Sequence, residues 1–370
     1  MNKRKTILHI ITTLTTGGTE NTLLKYIDNS PEELSHHVLC LSGKGHIAEK
    51  LIQNGTTVTF LELEYKINLF KSLYQIPKLY YSLKPKFINA WMYHAYVLSV
   101  FLYFLPFNHA SLIWNIRNTN TSFKLNPRIT TFCAHLSAHF SFLCDHIIYN
   151  SKCSQSAHKQ LGYKTKSVKV IPNGVDCDLY RMQDPLNLWK RRNPNEIVIG
   201  YISRYNTQKD PDTFLKTVYE FTKKNKNAVF LCFGLGFNEE NSLWLQKIND
   251  LKINDYVFSF GSDHNLSQWF AEFDFTTLSS ESESFPNVVI ESMACGKPVV
   301  ATNVGDIAII IEDCGIVVNS KSAIELAAGW ESMVQQLKLD PAKLSDNCRK
   351  RVKEQYELSA INTKYWQCFN

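Results

Sequence analysis

Glu196-Ile-Val-Ile-Gly-Tyr-Ile-Ser203 is a short apolar run that follows a polar stretch, Cys177 to Asn195 (CDLYRMQDPLNLWKRRNPN), which holds Pro185 and Pro194 and has no clear period. Five more such runs follow it: AVFLCFG (228–234), VFSF (257–260), DFTTLS (274–279), PVVAT (298–302) and GIVVN (315–319). Segments with helical patterning lie between them at 210–223, 240–251, 286–295 and 321–337. Continuous apolar runs, rather than strict alternation, suit strands buried on both faces of a parallel sheet. Strands that alternate with helices predict a doubly wound α/β unit.

The same rhythm precedes the polar stretch. Strand-like runs occupy 6–12, 36–42, 57–63, 86–91, 110–116, 145–150 and 168–172, with helices expected at 20–28, 69–83 and 127–142. The chain therefore reads as two similar α/β domains in tandem, 1–180 and 190–345, joined by a linker. The last segment, from about 341, is helical in pattern. Its end, 350–370, is expected to cross back to the first domain, with Tyr365 and Trp366 as packing residues.

Composition agrees. A length of 370 residues suits two domains, and 44% hydrophobic with 20% charged residues is ordinary for a globular protein. The net charge of +6 is mild. It fits phosphorylated ligands or an anionic membrane surface. No long Lys/Arg run or nucleic-acid module is present, so no nucleic-acid partner is expected. None of the ten cysteines forms a CxxC pair, which argues against a zinc site and for small buried residues in a reducing cytosol. Lys3, Arg4 and Lys5 precede an apolar stretch, but His9 and several threonines interrupt it, so a buried first strand is expected rather than a signal peptide. The run Val97 to Phe107 (VLSVFLYFLPF) is too short to span a bilayer. It reads as a buried helix or as one that dips into a membrane surface.

Five motifs could carry chemistry. Thr16-Gly17-Gly18-Thr19-Glu20 follows the first strand and opens a helix, which makes either an anion-binding turn or a plain turn capped by Thr19. It is neither GxGxxG nor a Walker motif. Ile171-Pro172-Asn173-Gly174-Val175-Asp176 closes the first half as a turn at the boundary. Ser203-Arg204 ends the 196–203 strand and Lys209 precedes the next helix. Two cations at a strand's carboxyl end suit a diphosphate. Glu283 and Glu291 bracket Ser-Phe-Pro-Asn-Val-Val-Ile, and Pro286-Asn287 suits a helix start, so Glu291 falls one turn into that helix. His94, in Trp91-Met92-Tyr93-His94-Ala95, follows the fourth strand and is expected at that strand's carboxyl edge.

Together these motifs resemble the retaining glycosyltransferases of family 4, over nearly the whole chain and in order. Gly17-Gly18-Thr19-Glu20 resembles that family's glycine-rich loop, and Trp91 to Ala95 the segment with its active-site histidine. Pro172 to Asp176 is similar to its PNGVD, and Arg204 with Lys209 to its donor-phosphate pair. Phe233-Gly234-Leu235-Gly236 resembles its strand-end turn, and Val257 to Gly261, with Phe258, its base-flanking segment. Glu283 to Glu291, with Ala294 to Ala301, resembles its double-glutamate motif. Where many members have Gly after the first glutamate, this chain has Ser284, which bears on the identity of the sugar.

The resemblance implies the GT-B fold: two Rossmann-like, doubly wound parallel-sheet domains with an interdomain cleft. It implies transfer of a sugar from a UDP- or GDP-sugar, with retention and without a metal or cofactor other than the donor itself. Arg204 and Lys209 would neutralise the diphosphate, and Glu291 would hold the ribose. Glu283, with Ser284, Pro286 and the backbone N–H groups of Phe285 and Asn287, would hold the sugar, and His94 would contact it. Gly18 would let the acceptor and the β-phosphate approach closely, and Gly17 and Gly234 would also line the donor site. The basic balance, the 97–107 run and Phe70, Tyr74, Tyr80 and Tyr81 suit a saccharide acceptor linked to a lipid such as undecaprenyl at the inner face of the plasma membrane. That places the expected role in a bacterial surface polysaccharide (capsule, O-antigen or exopolysaccharide), in the cytoplasm or peripheral on the membrane. The alternatives are an epimerase or hydrolase of the same fold, or a non-catalytic sugar-nucleotide-binding scaffold.

Overall fold

The computed structural model describes residues 4–15, 17–63, 68–119, 128–262 and 265–370, with side chains over the same ranges except 68–73. The chain divides into two compact units, Met1–Asn173 with Ser359–Asn370, and Gly174–Leu358.

In the first unit the elements run β1 (Lys5–Ile11), α1 (Gly18–Asp28), β2 (Leu34–Cys40), α2 (His46–Gln53), β3 (Thr57–Phe60), α3 (Asn68–Leu83), β4 (Phe87–Trp91), α4 (Tyr93–Tyr103), β5 (Ser111–Ile116), α5 (Arg128–Phe140), β6 (His146–Tyr149), α6 (Lys152–Gln160) and β7 (Val168–Val170). The strands form one parallel sheet in the order β3-β2-β1-β4-β5-β6-β7. Successive side chains of a strand point to opposite faces. Accordingly Leu8 and Ile10 of β1 pack with Tyr96 and Trp114, whereas Ile7 and Ile11 pack with Tyr26 and Tyr365.

The second unit runs β8 (Ile197–Ile202), α7 (Pro211–Thr222), β9 (Ala228–Phe233), α8 (Ser242–Asp250), β10 (Val257–Gly261), α9 (Leu266–Trp269), β11 (Phe275–Leu278), α10 (Asn287–Ala294), β12 (Val299–Thr302), α11 (Ile307–Ile311), β13 (Gly315–Val318), α12 (Ala323–Leu339) and α13 (Pro341–Gln355). Its sheet is parallel in the order β10-β9-β8-β11-β12-β13. Both sheets reverse their winding beside their first strand, the arrangement in which doubly wound folds place a ligand at the strands' carboxyl ends.

The final helix, α14 (Leu358–Trp366), lies largely in the first unit, where Tyr365 stacks on Tyr26 at 3.9 Å and its hydroxyl accepts from Asn89 at 2.8 Å. Two expectations need revision. The stretch read as a linker is fastened to the second unit. Glu272 accepts from the Leu186 and Leu188 amides, Arg191 pairs with Asp274, and Arg349 donates to the carbonyls of Cys177 and Tyr180. The 97–107 run is buried on one side only. Val100 and Leu102 face the core, whereas Phe101, Phe104 and Phe107 are 44%, 63% and 89% exposed. Of the aromatic cluster noted above, Tyr80 is buried and Tyr74 and Tyr81 are exposed, and the side chain of Phe70 lies outside the described residues.

Candidate functional site

In the second unit the winding reverses between β8 and β11, which are hydrogen-bonded neighbours. β8 leads into Ser203-Arg204, and Arg204 is exposed. A short 3-10 turn follows, in which the Asn206 side chain accepts from the Lys209 amide at 3.0 Å. Asp210 then takes a left-handed conformation (φ 47°) and caps α7 by accepting from the Thr213 amide, with Pro211 in the first turn. The turn is pinned to β11. Ser279 donates to the Lys209 and Asp210 carbonyls at 2.9 and 2.8 Å, and the Tyr201 hydroxyl reaches the Lys209 carbonyl at 3.1 Å. This framework directs the Lys209 ammonium onto Glu283, forming an ion pair between residues 74 apart, with Lys209 and Glu283 side chains 17% and 8% exposed. Ser280 donates to the same Glu283 oxygen at 2.7 Å.

Glu283 and Ser284 are buried in the loop ahead of α10, whose first residue is Asn287 and whose N-cap is Pro286. The first-turn N–H groups of a helix have no carbonyl within it to bond, and the helix dipole adds partial positive charge there. Phe285 turns away into the core, edge-on to Tyr356 at 5.5 Å. Gly305, in the loop after β12, backs the Glu283 segment. It has φ 61°, and a β-carbon there would sit 2.4 Å from the Glu283 carbonyl oxygen. Glu291 is half-buried one turn into α10, beside the Tyr180 hydroxyl. The charge of Glu291, followed by burial, pushes the Tyr180 phenol above its ordinary range. Sequence reasoning did not find Gly305, Ser280 or Tyr180, although a glycine just past a strand's carboxyl end is a signal that could have found the first.

Gly234 (φ 123°) lies at the carboxyl end of β9, where a β-carbon would overlap the Ser203 carbonyl oxygen at 1.7 Å. The absent side chain lets the ends of β8 and β9 approach closely. Val257 and Phe258 fall elsewhere. They begin β10, paired with Phe230 and Leu231, whereas Gly261 is the residue beside Phe233 at the carboxyl edge. Val257 is a core residue, and Phe258 packs against Trp189 at 4.8 Å and Arg192 at 5.7 Å. The register therefore brings Ser259 to Gly261, not Val257 and Phe258, toward the edge that carries Arg204 and Glu283.

In the first unit the reversal lies between β1 and β4. Gly17 is the N-cap of α1, and Glu20 folds back over it, held by Thr13 at 2.9 Å. A β-carbon on Gly17 would meet the Glu20 carboxylate at 2.3 Å. The loop thus carries its own anion at the helix N-terminus, while a β-carbon on Gly18 would meet nothing within 4 Å. Thr16 lies outside the described residues. Met92, the N-cap of α4, has φ 73°, an uncommon conformation for a side-chain-bearing residue, and it delivers His94 to the first turn just past β4. Burial lowers the His94 pKa, which favours the neutral imidazole. At the end of β5, Arg117 donates to Asn173 at 2.9 Å and to Tyr26 and Asn115 at 3.3 Å, and lies 5.4 Å from the Tyr26 and Trp91 rings. A single arginine in a strand-end sequence offered no motif by which to find it.

Comparison with known families matches residues 16–179 to "Glycosyltransferase Family 4" and residues 196–336 to "Glycosyl transferases group 1", one for each unit. The chain belongs to family 4 of the glycosyltransferases. Among curated relatives, an N-acetyl-alpha-D-glucosaminyl L-malate synthase of Bacillus anthracis is 26% identical over 54% of this chain and 52% of its own length. A D-inositol 3-phosphate glycosyltransferase of Segniliparus rotundus is 26% identical over 48% of this chain and 41% of its own length. The match thus spans about half the length of these relatives or less. Anabaena Alr3699/HepE, solved in complex with UDP and glucose, is similar over 99% of both chains with a TM-score of 0.84 and 21% identity. The fold is GT-B, two Rossmann-like units with parallel sheets of seven and six strands.

Proposed function

We propose that the chain is a retaining, metal-independent glycosyltransferase whose second unit holds a nucleotide-diphosphate sugar at the carboxyl ends of β8 and β11. The observation that carries this reading is the largely buried Lys209–Glu283 pair, in which Lys209 follows Arg204 after β8 and Glu283 precedes the N-terminus of α10. As a sugar leaves a diphosphate, positive charge grows on its anomeric carbon and negative charge on the leaving oxygen. Arg204, Lys209 and the α10 N-terminus supply fixed positive charge for the second, so no divalent ion is required. Glu283 holds the sugar hydroxyls and orients Lys209, and Glu291 holds the ribose. In a retaining transfer by same-face attack, the leaving phosphate takes the acceptor's proton, so no side chain need act as nucleophile.

The HepE complexes include one with UDP-glucose, which favours a UDP-sugar over a GDP-sugar here. The acceptor is a saccharide, free or carried on a polyprenyl lipid, and the role is assembly of a bacterial surface polysaccharide at the cytoplasmic side of the membrane. Among the described residues no helix is long and apolar enough to cross a membrane.

A panel of UDP-, GDP-, ADP- and CMP-sugars, screened by thermal shift in EDTA, tests the proposal. A donor that binds only the folded protein must raise its melting temperature. A shift with a UDP-sugar in EDTA is the expected result. A shift that needs a divalent ion would overturn metal independence, and tight donor binding without turnover on any glycan acceptor would mean a scaffold.

A further inference from the structure

The charge of this chain is unevenly placed. From Tyr65 to Val175 the sequence holds 13 Lys and Arg and one acid, Asp145. The segment is therefore net +12, and the remainder of a chain of net +6 is net −6. Asp145 itself is engaged with the backbone, where it accepts from the Leu112 amide at 3.0 Å.

Within that acid-poor segment, α4 and α5 pack side by side. An amphipathic helix on a protein surface ordinarily turns charged residues outward. Here the outer residues of α5 and the turn after it are Arg128, Phe132, His135, His139 and Phe142, all exposed, at spacings of four, three, four and three that share one side. The exposed aromatics of α4 and the turn after it, Phe101, Phe104 and Phe107, recur every three residues. Phe107 has φ 58°, a costly conformation for a bulky residue, and it is 89% exposed. The Phe104 ring lies 6.5 Å from the Phe140 ring at the end of α5, and the Tyr81 hydroxyl donates to the Pro106 carbonyl at 3.1 Å, which joins the end of α3 to this face. Lys78 of α3 and Lys84 just past its end are exposed as well.

We infer that the outer face of α3, α4 and α5 docks the first unit on an anionic lipid surface, with Phe104, Phe107 and Phe132 entering the headgroup layer and Lys78, Lys84 and Arg128 meeting its phosphates. Aromatic tips set among cations, with almost no acids, are the composition that binds such an interface. A soluble protein partner would be matched by mixed charge, and a second copy of a face of net positive charge would repel the first. The inference deepens the proposed function, since it rests on a membrane-held acceptor.

The test is co-sedimentation of the full chain with vesicles of equal phosphatidylcholine and phosphatidylglycerol, or of phosphatidylcholine alone. The variants are Phe104→Ser with Phe107→Ser, Lys78→Glu with Arg128→Glu, and, as a control in the second unit, Ile324→Ser, which is 75% exposed in the parent. Expected are binding to the anionic vesicles only, a loss of about tenfold or more in affinity for each double variant, weakening in high salt, and no loss for the control. Binding indifferent to lipid charge would overturn the inference. So would an anionic-vesicle affinity unmoved by the phenylalanine pair, or a parent dimer that this pair converts to monomer without any vesicle binding. UDP-induced thermal shifts of the same samples separate the two proposals. Absent vesicle binding with an intact shift removes only the docking face, and vesicle binding without a shift for any nucleotide removes the donor site.

Discussion

Gly305→Ala is the most direct probe of how the second unit positions Glu283. Two costs follow from the structure. Gly305 has φ 61°, a region that costs an L-residue about 1–2 kcal/mol. The added β-carbon would also lie 2.4 Å from the Glu283 carbonyl oxygen, against an ordinary contact of at least 3.4 Å, so the loop must yield by about 1 Å. The first cost should lower the melting temperature of this 185-residue unit (174–358) by roughly 2–8 °C. The second falls on geometry. A displacement of about 1 Å in a group that orients a reacting sugar costs about 10²-fold in turnover. The assay is release of nucleoside diphosphate from the donor that the thermal-shift screen selects, with melting temperature and donor affinity measured in parallel. The expected signature is a folded variant with a modest thermal loss, donor affinity within about threefold, and turnover down about 10²-fold. A folded variant that turns over normally would refute the reasoning, because it would mean that the Glu283 loop can move by that distance without consequence for the sugar.

Three further outcomes are expected. Lys209→Ala should lower turnover by about 10²-fold or more, by loss of a preorganised cation at the leaving phosphate, and near-normal turnover in steady-state kinetics would place the donor phosphates elsewhere. Glu291→Ala should chiefly weaken donor binding, and calorimetric titration with the selected nucleotide would remove Glu291 from the ribose if the affinity did not change. His158 is fully buried between the Ser154 carbonyl (2.9 Å) and the Tyr93 hydroxyl (2.8 Å), and burial lowers its pKa from 6.5 to about 4. Below pH 6.5 the unfolded chain protonates first, so this site's contribution is intact above pH 6.5 and declines as the pH falls toward 4, by about 3 kcal/mol in all. Urea unfolding followed by fluorescence should show that decline, and His158→Gln should flatten it. An unchanged slope in that variant would assign the pH dependence to other groups, of which buried His9 is the first to examine.

Much of this molecule follows from local sequence. The inner strands of both sheets coincide with short apolar runs, because a strand buried on both faces must be apolar along its length, a demand a few neighbouring residues meet or fail, whereas the edge strands β3 and β7 are partly and fully exposed. Likewise Pro286-Asn287 marks the start of α10, since helix initiation is a matter of adjacent residues. The position of residues just past a strand, such as Arg204 after β8 and His94 after β4, follows from chain order alone once the sheet is known to be parallel. Other features required the packed molecule. The registry of β10 decides that Val257 and Phe258 start the strand and that Gly261 reaches its carboxyl edge. The outward turn of Phe101, Phe104 and Phe107 depends on which side of α4 meets the sheet, a choice that a run apolar on all sides leaves open. The pairing of Lys209 with Glu283 and the seating of Gly305 against the Glu283 carbonyl join residues remote in sequence. Local preferences specify elements, whereas contacts between elements are set by how side chains and backbone fill the space the sheet leaves them, and only the tertiary structure determines that.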